Sequence, residues 1–168
     1  MPFIIFGLII LSLIGVILSK NQTVYKNKKY KYSIEFPKGW VKSYNRDRAV
    51  SYRSPDVISV SQEPEAAVVI VANDRMGGMD LMGHYRSIVN DLKREKNFIL
   101  NEGVTLIDMQ EARWVEFKEE TGTNNHVWYV FFNYTDKLMI IQSKVSIFLV
   151  DKYRDSLQQM LENVRLRD

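Results

Sequence analysis

The chain has 168 residues, 46% of them hydrophobic, 12% aromatic and 26% charged, with a net charge of +3. That is the length and composition of one globular domain, and it excludes disorder as a description of the whole chain. With no cysteine and only two histidines, it excludes a disulfide scaffold, a thiolate zinc site, an iron–sulfur cluster and a cysteine nucleophile, and leaves little material for a histidine-rich metal centre.

Residues 1–19 carry no charged side chain, and Phe3 to Leu18 is a nearly unbroken apolar run. At 1.5 Å per residue the run makes about 24 Å of helix, close to the ~30 Å hydrocarbon core of a bilayer. A cleaved signal peptide needs a basic start and small residues before the cleavage point. Here the start is Met1-Pro2, and Ile17 sits three residues before the best break. The segment is therefore read as an uncleaved single-pass membrane anchor. From Lys20 to Arg53 there are ten basic residues against two acids, Glu35 and Asp47, so about +8 lies beside the anchor and about −5 elsewhere. Lys20, Lys26, Lys28, Lys29 and Lys31 are the candidate membrane-surface residues, since basic side chains beside a span are drawn to anionic head groups. Nucleic acid is not an expected partner: the basic stretch has no groove-reading helix, and the acidic remainder repels phosphate.

Residues 20–29 read as a basic polar linker, and residues 30–168 as the folded domain. Tyr30, Tyr32, Ile34 and Phe36 alternate with Lys31, Ser33 and Glu35, the pattern of a half-buried strand. Pro37-Lys38-Gly39 signals a turn, with Trp40 following as an aromatic anchor against the last helix, near Leu157 or Leu161. A short strand spans Ala49–Arg53. Ala66–Ala72 is apolar on both faces and reads as a central strand covered on each side. Asp80 is placed to cap a helix whose Tyr85, Ile88, Val89 and Leu92 fit the 3.6-residue period, and Lys93, Arg94 and Lys96 suit its C-terminal end. Strands follow over Phe98–Met109, Arg113–Glu119, Val127–Tyr134 and Lys137–Lys144. A closing helix carries Val150, Tyr153, Leu157, Met160, Leu161 and Val164 on one face. The links within the four-strand run are too short for parallel crossovers, so the sheet is expected to be antiparallel and the fold an α+β sandwich.

Three stretches resemble the PsbP superfamily. Tyr32 to Trp40 (YSIEFPKGW) is similar to its opening strand, Pro–Gly turn and Trp. Ala112-Arg113-Trp114 opens a strand as the family's small–x–aromatic segment does, and Trp128 to Ile141 with the last helix matches its closing hairpin and helix. The resemblance covers residues 30–166. It implies a PsbP-like α/β/α sandwich, here preceded by a transmembrane helix. It also implies an accessory, binding or assembly role with no shared active site, and it favours the extracytoplasmic side of the membrane. The positive charge after the span taken alone favours the cytoplasmic side.

The one segment with soft-ligand chemistry is Met76 to His84, where Met76, Met79, Met82 and His84 bring three thioethers and an imidazole within nine positions, a set that suits Cu(I). The same methionines can instead fill an irregular core edge, with Met79 as a staple beside the Asp80 cap. His126 stands alone at a strand start. Glu119 and Glu120 point to opposite faces and cannot act as a pair. Val127–Tyr134 is aromatic or apolar on both faces, which is core packing unless one face is left open as a docking surface. The expected function is thus a non-enzymatic, membrane-anchored domain docking on a membrane complex or exported protein, with no cofactor. The alternatives are a copper-binding protein and a small enzyme built on His84 or His126 with carboxylates brought together by folding.

Overall fold

A computed structural model describes residues 23–75, 78–120 and 124–167. The segment read as an anchor, residues 1–19, lies outside these, as do Lys20 and Met76. Among the described residues no helix is long and apolar enough to cross a membrane.

In chain order the elements are β1 (Thr23–Asn27), β2 (Tyr32–Phe36), β3 (Val41–Arg46), β4 (Ala49–Arg53), β5 (Ala66–Asp74), α1 (Leu81–Arg94), β6 (Phe98–Ile107), β7 (Gln110–Lys118), β8 (Asn125–Tyr134), β9 (Lys137–Ser146), α2 (Val150–Glu162) and β10 (Arg165–Leu166). A 3-10 turn, Ile147–Leu149, leads into α2. The strands form two sheets rather than the one expected. A seven-stranded sheet has the order β3-β4-β5-β9-β8-β7-β6, and a three-stranded sheet has the order β1-β2-β10. Every pairing is antiparallel.

Both faces of the large sheet are covered, which is why β8 has no polar side. Val127 and Phe131 of β8 join Val115, Phe117 and Leu138 beneath Tyr85, Val89 and Leu92 of α1. Val130 and Phe132 point the other way. They join Met139, Ile141, Val50, Val68 and Ile70 beneath α2 and the small sheet. The small sheet contributes Tyr32, Ile34 and Phe36 to that second core, and Phe36 stacks on Tyr52 with ring centroids 3.8 Å apart. From α2 come Tyr153, Leu157 and Met160.

The helix ends follow the sequence. Asp80 Oδ1 accepts from the Gly83 backbone N–H at 2.7 Å, capping α1 as expected. Gly39 has a φ of +81°, and the Trp40 N–H donates to Pro37 O at 3.2 Å, closing the Pro–Gly turn. Asp108 and Met109 both take positive φ in the two-residue link between β6 and β7, so β6 stops two residues short of the expected Met109.

Three further expectations change. The segment expected as a polar linker, residues 20–29, contains β1, which pairs with all of β2. Its tyrosine at 25 packs against the core while its lysines face water, an amphipathic strand that its lysine content masks. Between Trp40 and Ala49 the chain forms β3, an edge strand exposed at all six positions, so no burial pattern marks it in the sequence. β5 buries one face fully, while Ala67, Val69 and Val71 on the other are only half-buried, because α1 packs on β7 and β8 and stops short of it.

Trp40 is 6% exposed and lies edge-on to Tyr153 of α2, with ring centroids 6.2 Å apart. We expect Trp40→Ala to cost about 3–5 kcal/mol, as truncation of a buried aromatic does. Chemical denaturation of the full chain in detergent measures it. A loss below about 1 kcal/mol, typical of surface substitutions, would show that Trp40 does not anchor α2 to the turn.

Candidate functional site

The cover on the second face is narrower than the sheet. Beyond the edge of α2, strands β6, β7 and β8 remain partly open, and a groove of about 390 Å³ runs between them and the helix. Register fixes its floor. Glu116 of β7 lies opposite Trp128 of β8, Trp114 lies opposite Val130, and Trp128 lies opposite Ser143 of β9. Residues opposite one another in a ladder share a face, so Trp114, Glu116, Trp128, Val130 and Ser143 all point at the helix. The other wall is one side of α2, where Arg154, Leu157, Gln158 and Leu161 recur at helical spacing.

Gly103 of β6 lies opposite Trp114. A Cβ at Gly103 would meet the Trp114 ring at 2.9 Å. The missing side chain lets the indole lie across β6, where it forms part of the groove lining. The rim is β6 itself, the last strand of the sheet, with no neighbour on its outer side among the described residues. It exposes Phe98, Leu100, Val104 and Leu106, and its one charged side chain, Glu102, accepts from the Tyr85 hydroxyl. β6 carries no lysine or proline, the commonest protections of a free edge; a register irregularity between Ile99 and Asn101 and the inward-pointing Glu102 are the edge devices it has.

A polar cluster joins the floor to the wall: Glu116 and His126 are buried and Arg154 is exposed. His126 Nε2 lies 2.6 Å from Glu116 Oε1, and the same oxygen accepts from Arg154 Nη2 at 3.3 Å. A carboxylate only accepts, so the proton of this contact sits on Nε2. The His126 ring stacks on Trp128 at a centroid distance of 4.2 Å, and Arg154 covers the Trp128 ring at 5.4 Å. One carboxylate thereby holds both an imidazole and a guanidinium against the Trp128 ring. Burial pushes the His126 pKa below its ordinary value and outweighs the opposing pull of Glu116.

No protein-family model matches the sequence, and a search of curated proteins finds no match. Solved structures do match. Cyanobacterial PsbP (CyanoP) from Synechocystis aligns with a TM-score of 0.64 at 13% identity, over 87% of this chain and 92% of that one. LpqN of Mycobacterium tuberculosis, involved in cell envelope biogenesis, gives 0.65 at 10% identity, over 88% of this chain and 91% of that one. The Ran-binding protein Mog1p of Saccharomyces cerevisiae gives 0.60 at 12% identity, over 88% and 96%. The chain has the PsbP-like fold. Antiparallel sheets with a few helices agree with the PsbP-like fold that the resemblance implied, although the strands divide into two sheets where one was expected.

Within this PsbP-like domain the residues singled out from sequence fall in three places. Met79 and Met82 sit at the start of α1, with the Met79 side chain lying over Gly83, while Met82 packs against the α1 core. His84 is buried, and its Nε2 has no hydrogen-bond partner among the described residues. Among the described residues no group of three histidines or carboxylates is placed to hold a metal. Lys26 lies near the end of β1, Lys28 and Lys29 lie in the turn between β1 and β2, and Lys31 follows them on the exposed surface. His126, read as solitary, is paired: its partner is ten residues back on the neighbouring strand, a diagonal contact that only the register reveals. Glu119 bonds to Asn125 and Lys144 and shares nothing with the exposed Glu120. The groove was not foreseen, although Ala112, Trp114 and Glu116 alternate on one face of a predicted strand. A carboxylate on the side facing the core was the available signal.

The His126 shift has a pH consequence. The unfolded chain takes up a proton near pH 6.5, while the buried ring in the folded domain resists it to lower pH. Stability is therefore full above about pH 6.5 and falls as the pH drops towards the depressed folded value. We expect urea midpoints of the wild type to decline between about pH 7 and pH 5, and those of His126→Gln to decline less. Parallel curves would show that His126 is not the group responsible.

Proposed function

We propose that this PsbP-like chain is a non-enzymatic, membrane-anchored accessory domain that docks on a protein partner, either a membrane complex or an exported protein. The observation that carries the reading is the groove beside α2, with two indoles in its floor and a free edge strand with exposed apolar side chains along its rim. Aromatic side chains preset in a half-open cleft are the anchors of protein interfaces. A free strand edge adds main-chain donors and acceptors for an extended partner segment. The neighbours support the same class: one is a Ran-binding protein, another a PsbP subunit. LpqN, by its involvement in cell envelope biogenesis, supports an exported setting. The apolar run Phe3–Leu18 supports the anchor.

The polar cluster is arranged for positioning, not for turnover. The His126 ring does not line the groove, its Nε2 is taken by Glu116, and Trp128 lies over its face. A general base has to reach the reacting atom directly or through one water.

The test is co-purification from mildly solubilised membranes, comparing wild type with Trp114→Ala and Leu106→Glu. We expect each variant to lose the partner at least tenfold while keeping its melting temperature within a few degrees, as a change at an interface anchor does. Undiminished co-purification with both variants would remove the groove from the docking surface.

A second reading, soft-metal binding by Met76, Met79, Met82 and His84, is favoured by one observation, the buried and unpartnered His84 Nε2. Cu(I) titration against a competing chelator decides it. On this reading, replacing the three methionines with leucine weakens binding at least tenfold, because thioethers are the soft ligands of the set. Equal affinity of the two proteins ends it.

A further inference from the structure

The fold brings together two hairpin tips that are well separated in the sequence. The end of β1 and the turn after it carry Lys26, Lys28 and Lys29, and the end of β3 and the turn after it carry Arg46 and Asp47. Between them lies an open cleft of about 370 Å³. Its floor is polar and held in place: the Tyr25 hydroxyl donates to Asn45 Oδ1 at 3.3 Å, and Asn27 Nδ2 donates to the Tyr25 oxygen at 3.3 Å. Lys42 lies over the Tyr25 ring at 5.9 Å, adding a further cation beside the same floor. The single acid, Asp47, is already paired with Lys29 at 3.4 Å. Lys26, Lys28 and Arg46 have no carboxylate partner among the described residues.

We infer that this cleft is a contact for the phosphate-bearing head groups of an anionic bilayer, and that it holds the β1–β2 hairpin along the membrane surface. The inference rests on the reading of residues 1–19 as the anchor. Thr23 is four residues beyond Ser19, a reach of at most about 14 Å. The five residues of β1 then carry the chain about 16 Å further to the lysines. A hairpin standing upright would put its tip about 30 Å from the bilayer, far outside the ~8 Å over which charges act in physiological salt. Lying flat, it brings Lys26, Lys28 and Arg46 to the surface. The charge distribution favours the flat pose, since the residues from Lys20 to Arg53 carry about +8 and the rest of the chain about −5. The neighbouring exposed side chains suit an interface too: Val24, Val41 and Tyr44 are apolar or amphipathic and lie among the basic residues.

The test uses the full chain in nanodiscs of phosphatidylcholine alone or of an equal mixture with phosphatidylglycerol. Hydrogen exchange is read over residues 24–31 and 41–48. Each basic residue held at an anionic surface strengthens the attraction by about fivefold. We expect exchange in both segments to slow several-fold in the anionic discs only, and the slowing to vanish in Lys26→Glu/Lys28→Glu/Arg46→Glu and at high salt. A Lys26→Gln/Lys28→Gln/Arg46→Gln variant, which adds no repulsion, should lose most of the slowing with an unchanged melting temperature. Equal exchange in the two kinds of disc overturns the inference and leaves the anchor reading standing. Failure of the chain to enter phosphatidylcholine discs overturns the anchor reading and the flat pose with it. If inorganic phosphate added to phosphatidylcholine discs slows exchange as much as phosphatidylglycerol does, the cleft takes free phosphate and the membrane contact is wrong.

Discussion

The structure depends on one constraint: a seven-stranded sheet with apolar side chains on both faces must be covered twice. α1 supplies the first cover, over β7 and β8. α2 and the small sheet share the second, over β4, β5 and β9. Neither cover is as wide as the sheet, so the two edges are left over. At one edge β6 and the β7–β8 floor open as the aromatic groove; at the other lies the fully exposed β3 beside the basic cleft. With strands about 4.8 Å apart, the two edges of a seven-stranded sheet stand about 29 Å from each other. A domain built this way can rest one edge on a membrane and hold out the other to a protein.

The cluster of Glu116, His126 and Arg154 shows how such a groove stays open without collapsing. A buried carboxylate is costly unless it is paired and hydrogen-bonded. Here it is satisfied by an imidazole from the next strand and a guanidinium from the covering helix. Both partners also lie against the Trp128 ring, so the polar cluster and the aromatic floor hold each other in position. Depressed basicity of His126 is a consequence of that burial and keeps the ring neutral near pH 7. Glu116 is then balanced by Arg154, which sits at the groove wall where a partner would meet it.

Much of this fold was legible in the sequence, for local reasons. The 3.6-residue steps of Tyr85, Val89 and Leu92, and of Tyr153, Leu157 and Met160, are produced by burial of one helix face. The two-sided apolar run of β8 reports its two covers, and Asp80 and Gly39 mark their turns by side-chain and backbone chemistry. What escaped has physical reasons of the same kind. β3 buries nothing, β10 is two residues long, and β1 sets its half-buried tyrosine beside the lysines of a basic stretch, so none leaves a period to read. The division into two sheets, the groove, and the meeting of Lys28 with Arg46 are set by strand pairing between distant segments. Residue types in linear order do not contain that information. The resemblance of Tyr32–Trp40 and Trp128–Ile141 to PsbP proteins supplied the fold but no site, because it carries no catalytic signature and the groove forms only when β6, β7, β8 and α2 come together.

The central claim is that the β6 rim of the groove is where a protein docks. It is tested most directly by placing a photoreactive benzophenone amino acid at Leu106 of the full chain in its own membranes, with Phe148, still more open to solvent on the 3-10 turn before α2, as the control position. The account predicts a discrete protein adduct from Leu106 on illumination, lost when Trp114 is replaced by alanine, and none from Phe148. No adduct from Leu106, or the same adducts from both positions, would contradict it.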